Sequence, residues 1–506
     1  MQSTAVASNR VAAVIGYNID KGSSAASSGN LPQRIALIGE ANTANQSGLD
    51  TTPYQLTNSQ QAGKKYGWGS PLHLMALQLF PVGGGGTSVP VWAMALPAPS
   101  GAAARVQTIT VTGTATGNGT HYVKVAGRTN VAGKYYAVNI VTDDDNAAIA
   151  AKIKDAINNV LSAPISATNT TNLVTATNKA KGASGGALML EMDTNNNDLG
   201  ITYAIAQTVA GSGTPDIQDA LDLFQDTWYT IVANGLGAVS STLDTLEAFN
   251  GVPGIDNPTG RYAGIIMKPF MALTGTVADD PSSVTSGRKD ECTNLMCPAP
   301  LSHNLHYEVA AAYVLKYAQI AQDKPHLDVM DQTLDDITLP DADEIPAMQD
   351  YNERDRIVQL GCSTAMIRGN KYVIKDFVTT YRPDGENPPQ FRWARILNID
   401  WNVFYTYYLQ QQAHVIGNVL ANDSDAIDVE EVIKPKDWKA IVATDVIENL
   451  VSRGMLVKAE QSIATIQSQI SSVNPDRFDT IFDYTRSGVG RIAPTNASAN
   501  FNYGAV

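Results

Sequence analysis

Arg34-Ile35-Ala36-Leu37-Ile38-Gly39 (RIALIG) is a short run of branched and small apolar residues closed by a glycine. A continuous apolar run of this length, with no polar alternation, reads as a strand covered on both faces, as in parallel sheets. The segments C-terminal to it set the class. Ser59–Tyr66 and Pro71–Phe80 carry helical patterning and are separated by Gly67-Trp68-Gly69, and Ser88–Ala95 (SVPVWAMA) is a second strand. Strand, helices and strand make a crossover unit, so this part of the chain reads as α/β.

The same pattern returns after residue 215. Asp216–Gln225 reads as helix, Trp228–Ala233 (WYTIVA) as strand, Ser240–Asn250 as helix, Tyr262–Lys268 (YAGIIMK) as strand and Asn304–Ala321 as a long amphipathic helix. Residues 101–213 differ. They are rich in threonine, and Gln107–Thr114, His121–Ala126, Tyr135–Val141, Leu173–Thr177, Ala187–Met192 and Ile201–Ala206 read as strands around one helix, Asn146–Leu161. Pro97–Ala104 (PAPSGAAA) and Ala210–Pro215 (AGSGTP) mark the joins. One α/β domain interrupted by a β-rich insertion is the economical reading.

The expected fold class is therefore α/β (α+β), multidomain. The expected divisions are an arm 1–32, an α/β domain 33–100 plus 214–360, an insertion 101–213, a C-terminal α+β domain 361–494 and a second arm 495–506. In the C-terminal block, Ser363–Arg368 and Lys371–Thr380 flank Gly369-Asn370, a hairpin turn signal. Arg392–Ala421 and Asp437–Ser452 read as helices, Phe478–Thr485 and Gly490–Ala493 as strands. Aromatics spread along the first helix (Trp393, Trp401, Phe404, Tyr405, Tyr407, Tyr408) read as core. Residues 323–355 are acidic and proline-broken, and read as an irregular solvated face.

The two arms resemble one another. Val11–Tyr17 is a seven-residue apolar strand followed by a Ser/Ala/Gly tether (KGSSAASSG), and Phe501–Val506 follows the polar spacer Pro494–Asn500. The first is too short, and is broken too early by Asn18, Asp20 and Lys21, for a secretory leader. An isolated strand cannot satisfy its own backbone, so each needs a sheet to join, and a flexible tether lets that sheet belong to another subunit.

Composition limits the rest. The 506 residues carry 35 Lys+Arg against 49 Asp+Glu, a net charge of -14, which opposes a nucleic-acid backbone as partner. Mean hydropathy is -0.12, with no apolar run of membrane-spanning length. Three cysteines, Cys292, Cys297 and Cys362, make no disulfide framework.

Motifs that would carry chemistry fail on context. Gly182-Ala183-Ser184-Gly185-Gly186 matches the G-x-S-x-G elbow, but a strand follows where the elbow needs a helix. Gly235-Leu236-Gly237-Ala238-Val239-Ser240 follows a strand and opens a helix as a dinucleotide loop does, yet its third glycine is serine and no acid closes a following strand, Asp256 lying in a Pro/Gly loop. Gly83–Gly86 lacks the phosphate lysine. Cys292, Cys297, His303 and His306 have zinc-ligand chemistry, but on a strand over Asp290–Cys297 the thiols would face opposite ways, about 16 Å apart. Asp193-x-Asn195-x-Asn197 begins like a calcium loop and then places Asp198 and Ala204 where Gly and Glu belong. No catalytic residue, metal or cofactor is expected.

Several segments together resemble the contractile tail sheath proteins of Mu-like phages, a group related to tailocin and type VI secretion sheaths. Leu31–Gly39 resembles the opening strand motif. Gln60–Ser70 (QQAGKKYGWGS) resembles the A-x-x-x-F-G-x-G-S helix and loop, with Tyr66 for Phe. Pro90–Ala95 (PVWAMA) resembles the next strand. Pro215-Asp216-Ile217 with Asp226-Thr227-Trp228-Tyr229 resembles the segment after the insertion. Gly361–Arg368 (GCSTAMIR) and Val373–Tyr381 (VIKDFVTTY) resemble the sheath hairpin. The resemblance implies a virion structural subunit, not an enzyme, assembled in the host cytoplasm into stacked hexameric rings around a tail tube. It implies the tube, baseplate and tail terminator proteins as partners, with neither nucleic acid nor membrane insertion. It also implies that the C-terminal domain lies against the tube, the insertion faces outward, and the arms exchange strands between subunits. Val11, Ala13, Val14, Ile15 and Tyr17, with Phe501, Tyr503 and Val506, are the expected exchange residues. Lys434, Lys436, Lys439 and Arg453 are candidates for the tube face. The rival readings are a virion adhesin whose insertion binds glycan, and a nucleotide-binding α/β enzyme using Gly235–Ser240.

Overall fold

The computed structural model describes residues 29–125, 136–186, 188–254, 258–427 and 429–497. The expected exchange residues Val11, Ala13, Val14, Ile15, Tyr17, Phe501, Tyr503 and Val506 lie outside them. Chain contacts define two compact units, residues 33–398 and a second formed by 399 onward with the residues up to 32. Residues 361–398, read above with the C-terminal block, count with the larger unit.

The centre of the larger unit is a six-stranded sheet. Its strands are β1 (Ile35–Glu40), β2 (Tyr54–Leu56), β3 (Val91–Leu96), β11 (Ile231–Asn234), β12 (Met271–Thr276) and β13 (Asn294–Pro298), in the order β13-β12-β11-β1-β3-β2. All neighbours are parallel except β2, which runs antiparallel to β3 at the edge. Every residue of β1 is buried, as the apolar run Ile35–Gly39 requires, and Glu40 at its end is buried with them. Its side chains alternate between two helical layers. Ala36 and Ile38 join a core with Leu221 of α4 (Gln218–Leu221), Ile217 and Phe224 on either side of it, and Leu243 and Leu246 of α5 (Ser240–Asn250). On the other face Gly39 lies against Leu72 and Met75 of α2 (Pro71–Leu79), which packs with α7 (His306–Asp323). α1 (Ser59–Tyr66) precedes α2, and the two starts are set locally. Asn58 and Ser70 cap them by accepting from the amides of Gln61 and His73, at 3.0 and 3.1 Å, and Pro71 fits the first turn.

Between β3 and β11 the chain builds two smaller antiparallel sheets. One has the order β10-β4-β8-β7, from β4 (Val106–Thr112), β7 (Ile165–Thr170), β8 (Leu173–Asn178) and β10 (Thr202–Val209). The other is β6-β5-β9, from β5 (Gly119–Val125), β6 (Tyr136–Ile140) and β9 (Leu190–Asp193). Helix α3 (Asn146–Asn158) is capped by Asp145 and buries Ile149, Ile153 and Ile157, one face at the i, i+4 spacing, against both sheets.

Three expectations are corrected in this unit. Tyr262–Lys268 is no strand: it is a projecting loop held by Arg261, with Met267 at φ 38° and Ile265 almost fully exposed. The strand is β12, whose Gly275 and two threonines disguise it. Gly275 is required there because a Cβ would sit 1.9 Å from the His306 carbonyl oxygen of α7. The acidic stretch is not wholly irregular. Asp350 caps α8 (Tyr351–Gln359), after α6 (Ser282–Thr285) and the short strand β14 (Thr333–Leu334). Nor is it only solvated. Asp331 pairs with Lys375 and Arg368, and Asp335 with Lys316 and Lys371, which ties it to the hairpin of β15 (Thr364–Arg368) and β16 (Lys371–Asp376). The bonded Lys375 ammonium holds the Asp331 carboxyl below the usual range. The hairpin turn behaves as read: Gly369 and Asn370 have φ of 59° and 58°, the left-handed pair of a type I′ turn.

In the second unit, the helical stretch 435–452 buries Trp438, Val442, Val446, Ile447 and Leu450 against Ile399 and Val403 of α9 (Ala394–His414). Asp400 receives two bonds from Arg486, at 2.6 and 2.8 Å, and one from the Tyr484 hydroxyl at 3.0 Å. Two expectations fail here. Phe478–Thr485 is not one strand but two pieces, Phe478–Ile481 and Thr485–Arg486, paired with different partners. Gly490–Ala493 forms no strand. Among the described residues no helix is long and apolar enough to cross a membrane.

Candidate functional site

The parallel strands read β3-β1-β11-β12-β13, or 2-1-3-4-5 in chain order, which is the flavodoxin-like winding. In such sheets ligands bind beyond the carboxyl ends where the winding reverses, here between β1 and β11. Glu40 ends β1 at this point and Asn234 ends β11, followed by the glycine loop 235–240.

The protein itself fills this crevice. Asn234 donates to the Gly237 carbonyl at 3.0 Å and to Thr274 at 2.9 Å, and accepts from the Leu236 amide at 2.9 Å. The Gly235 amide donates to the Ile38 carbonyl at 2.8 Å. Two amides that a phosphate would need are thus already bonded. The glycines serve contact between elements. A Cβ on Gly235 would lie 2.5 Å from the Ile38 oxygen, and one on Gly237 (φ +74°) 2.9 Å from the His306 ring. The loop is a packed strand-to-helix turn, and the nucleotide reading loses its site.

The serine of Gly182–Gly186 comes to the same place. Ser184 is buried and its hydroxyl donates to Glu40. A Cβ on Gly182 would press within 2.4 Å of the other Glu40 oxygen, so that glycine permits the approach. No elbow exists: Ala183–Gly185 is a single 3-10 turn before β9. Burial raises the Glu40 carboxyl from 4.5 to about 8, so it is mostly protonated at neutral pH and accepts the serine bond at little charge cost. Sequence reasoning passed over Glu40. Its signal was an acid directly continuing an apolar strand. Nearby, Glu308 caps α7 by accepting from the Leu305 amide and Asn304 side chain, both at 2.9 Å, and burial raises it to about 7. Each acid is buried and engaged within the chain, Glu40 by Ser184 and Glu308 at the start of α7.

The metal-like residues separate. Cys297 lies in β13 and Cys292 before it, both buried and unbridged. His303 faces Asp341 at 3.5 Å, while His306 abuts Gly237. Asp193 is taken by Lys124 at 3.0 Å, and Asn195 and Asn196 form a left-handed hairpin tip. Among the described residues no three His, Cys, Asp or Glu side chains are placed to hold an ion. Of the tube-face candidates, Lys434 donates to the Asp425 carbonyl at 2.7 Å and Arg453 to Asn30. Lys436 and Lys439 are exposed at the start of the 435–452 stretch.

No protein-family model and no curated protein matches the chain. Solved structures do. The sheath tail protein of Desulfitobacterium hafniense aligns over 94% of this chain and 100% of its own, at 11% identity and TM-score 0.45. The sheath tail protein of Listeria innocua aligns over 91% and 93%, at 13% identity and TM-score 0.43. The helical sheath of the anti-feeding prophage in its contracted state aligns over 97% and 100%, at 11% identity and TM-score 0.40. The chain is thus similar in structure to tail sheath proteins.

Proposed function

We propose that this chain is the structural subunit of a phage contractile tail sheath. Subunits assemble as stacked hexameric rings around the tail tube, and contraction drives the tube through the host envelope. The observation that carries the reading is the ordered series of sheath-like segments. RIALIG lies on β1, QQAGKKYGWGS on α1 and the loop after it, PVWAMA on β3, DTWY on the approach to β11, and the GCSTAMIR and VIKDFVTTY segments on β15 and β16. They fall on successive parts of one unit, separated where the chain leaves for the residues 101–213. A ligand site is not needed, and the crevice that could have held one is packed.

In this reading the arms 1–32 and 495–506 link neighbours by strand addition through Val11–Tyr17 and Phe501–Val506. Main-chain bonds hold while the tethers let rigid bodies rotate. The extended lattice is metastable, and contraction releases the difference in packing free energy. The insertion 101–213 faces outward. Lys436 and Lys439 meet the tube, with baseplate and terminator proteins at the two ends. The particle is a virion assembled in the host cytoplasm.

Immunogold labelling of shed particles tests this. Label along the tail shaft supports it, and label confined to fibres or a tip supports the adhesin instead. Deleting residues 1–20 should abolish ordered tubes while leaving the α/β unit folded. Normal tubes from that deletion would remove strand exchange from the account.

A further inference from the structure

The two helical layers of the central sheet carry surfaces of opposite character. Beside α1 and α2, the Gly67-Trp68 loop, the end of α3 and the segment after β8 enclose an open cavity of about 870 Å³. Lys64, Lys179 and Lys181 line it and no carboxylate does, in a chain with a large excess of acids. Lys179 is spent in holding the walls together, donating to the Trp68 and Leu161 carbonyls at 3.2 and 3.1 Å. Lys64 and Lys181 make no ion pair among the described residues. Leu161, 64% exposed, supplies an apolar rim.

The opposite layer, of α4 and α5, bears the complement. Asp219 and Asp222 stand exposed along α4 and the residue after it, with no cation partner among the described residues, while Asp226 beyond them faces Lys268 at 3.7 Å. Beside them projects the loop 262–268, with Ile265 99% exposed at its tip. This tip is not loose. The buried Arg261 donates to the carbonyls of Lys268, Gln225 and Thr227 at 3.1, 2.9 and 3.0 Å, and Lys268 to that of Asp226 at 2.7 Å. The clamp fixes the apolar tip, Ile265 with the 39% exposed Ile266 beside it, to the acidic stripe as one preordered surface, which lowers the ordering cost of a contact made there.

We propose that these surfaces bind one another in successive copies of this chain: the Ile265 tip and its aspartates enter the lysine-lined cavity of the next subunit. Unlike patches on opposite sides of one molecule make a heterologous contact, which propagates into an open or helical array and does not close as a two-fold dimer. Charge complementarity sets the register and lets chains of net charge -14 approach. The proposal rests on the sheath reading for its setting but is tested at the level of the contact.

The test is crosslinking of the full chain carrying Ile265→Cys and Leu161→Cys with a short bismaleimide at high concentration. The native cysteines are buried and do not compete. The expected result is a ladder of multimers, where either single-cysteine chain stops at dimer. High salt should erase the ladder, since the paired charges lie near the surface. Lys64→Glu with Lys181→Glu should abolish it, as should Asp219→Lys with Asp222→Lys, and combining all four should restore it. All four sites lie outside the core, so thermal melts should match the parent; the salt series reads the same charges without substitution. Absence of a ladder, a ladder indifferent to salt and charge reversal, or failure of the combined chain to recover would overturn the contact. Tubes in the electron microscope without a ladder would overturn the contact and leave the sheath reading standing. A ladder from a chain that forms no cylinders even when co-expressed with the tail tube and baseplate proteins would support the contact and count against the sheath reading.

Discussion

β1 and β10 are both strands of six to eight residues, and they differ in nearly everything else. β1 is buried at every position between two helical layers. β10 pairs only with β4, at the edge of its sheet, and is exposed at all but one position. A strand covered on both faces is apolar along most of its length, as Ile35–Gly39 is, and carries a polar residue only where a buried partner meets it, as Ser184 meets Glu40, so its sequence announces it. A strand at a free edge needs only backbone pairing on one side, and its side chains are open to change. The residues that hold the architecture and the residues free to vary are thus separated along the chain, with the segment 101–213 set between two strands of one sheet.

Replacing Phe224 should break the contrast most visibly. Its ring lies 4.8 Å from Tyr229, 5.7 Å from Phe270 and 6.0 Å from Phe249, in the core that covers β1. Phe224→Ala should cost about 3–5 kcal/mol in urea unfolding of the larger unit. A loss below about 1 kcal/mol would mean that this layer is not the core described.

The joint between the two regions is the next place to look. Glu40 has its folded value raised, from 4.5 to about 8, by burial. The stability held by the protonated group is therefore fully present below 4.5 and is lost as pH rises toward 8. Unfolding free energy should fall by roughly 2–4 kcal/mol over that window, at about 1.4 kcal/mol per unit reduced for relaxation. Glu40→Gln should flatten the profile, and an unchanged slope would place the acid in water. Excising 105–210 should leave the six-stranded sheet folded and return Glu40 to the ordinary carboxylate range, measured by the same pH series. Loss of the sheet would show that the segment is part of the core.

Smaller effects sharpen the difference. Gly369→Ala, at φ 59°, should cost about 1 kcal/mol by straining the β15–β16 turn. Ile205→Ala on β10, 37% exposed, should change stability by no more than about 0.5 kcal/mol.

The same contrast explains what could be read from sequence. β1, α1, α5, the β15–β16 turn and α3 were legible because burial or a cap fixes their pattern locally. β12 is hidden and Tyr262–Lys268 reads as strand in its place, since apolarity alone cannot tell a buried strand from a clamped, projecting loop. β7 (ISATNT) is obscured because its alternation is short and weak, with only Ile165 and the small Ala167 as apolar positions before Asn169 and Thr170. α8 hid in an acidic run, its only signal the Asp350 cap. The filling of the crevice was out of reach. Glu40 and Ser184 are 144 residues apart, and only the folded chain brings them together. The glycine motifs were legible as patterns but not as packing positions, because a close approach shows only when the neighbour is known.

The central claim, that the chain is a sheath subunit, is tested most directly by negative-stain electron microscopy of the protein co-expressed with its tail tube and baseplate proteins. The account predicts striated hollow cylinders or stacked rings around the tube. Discrete particles and bare tubes from the same preparation would contradict it.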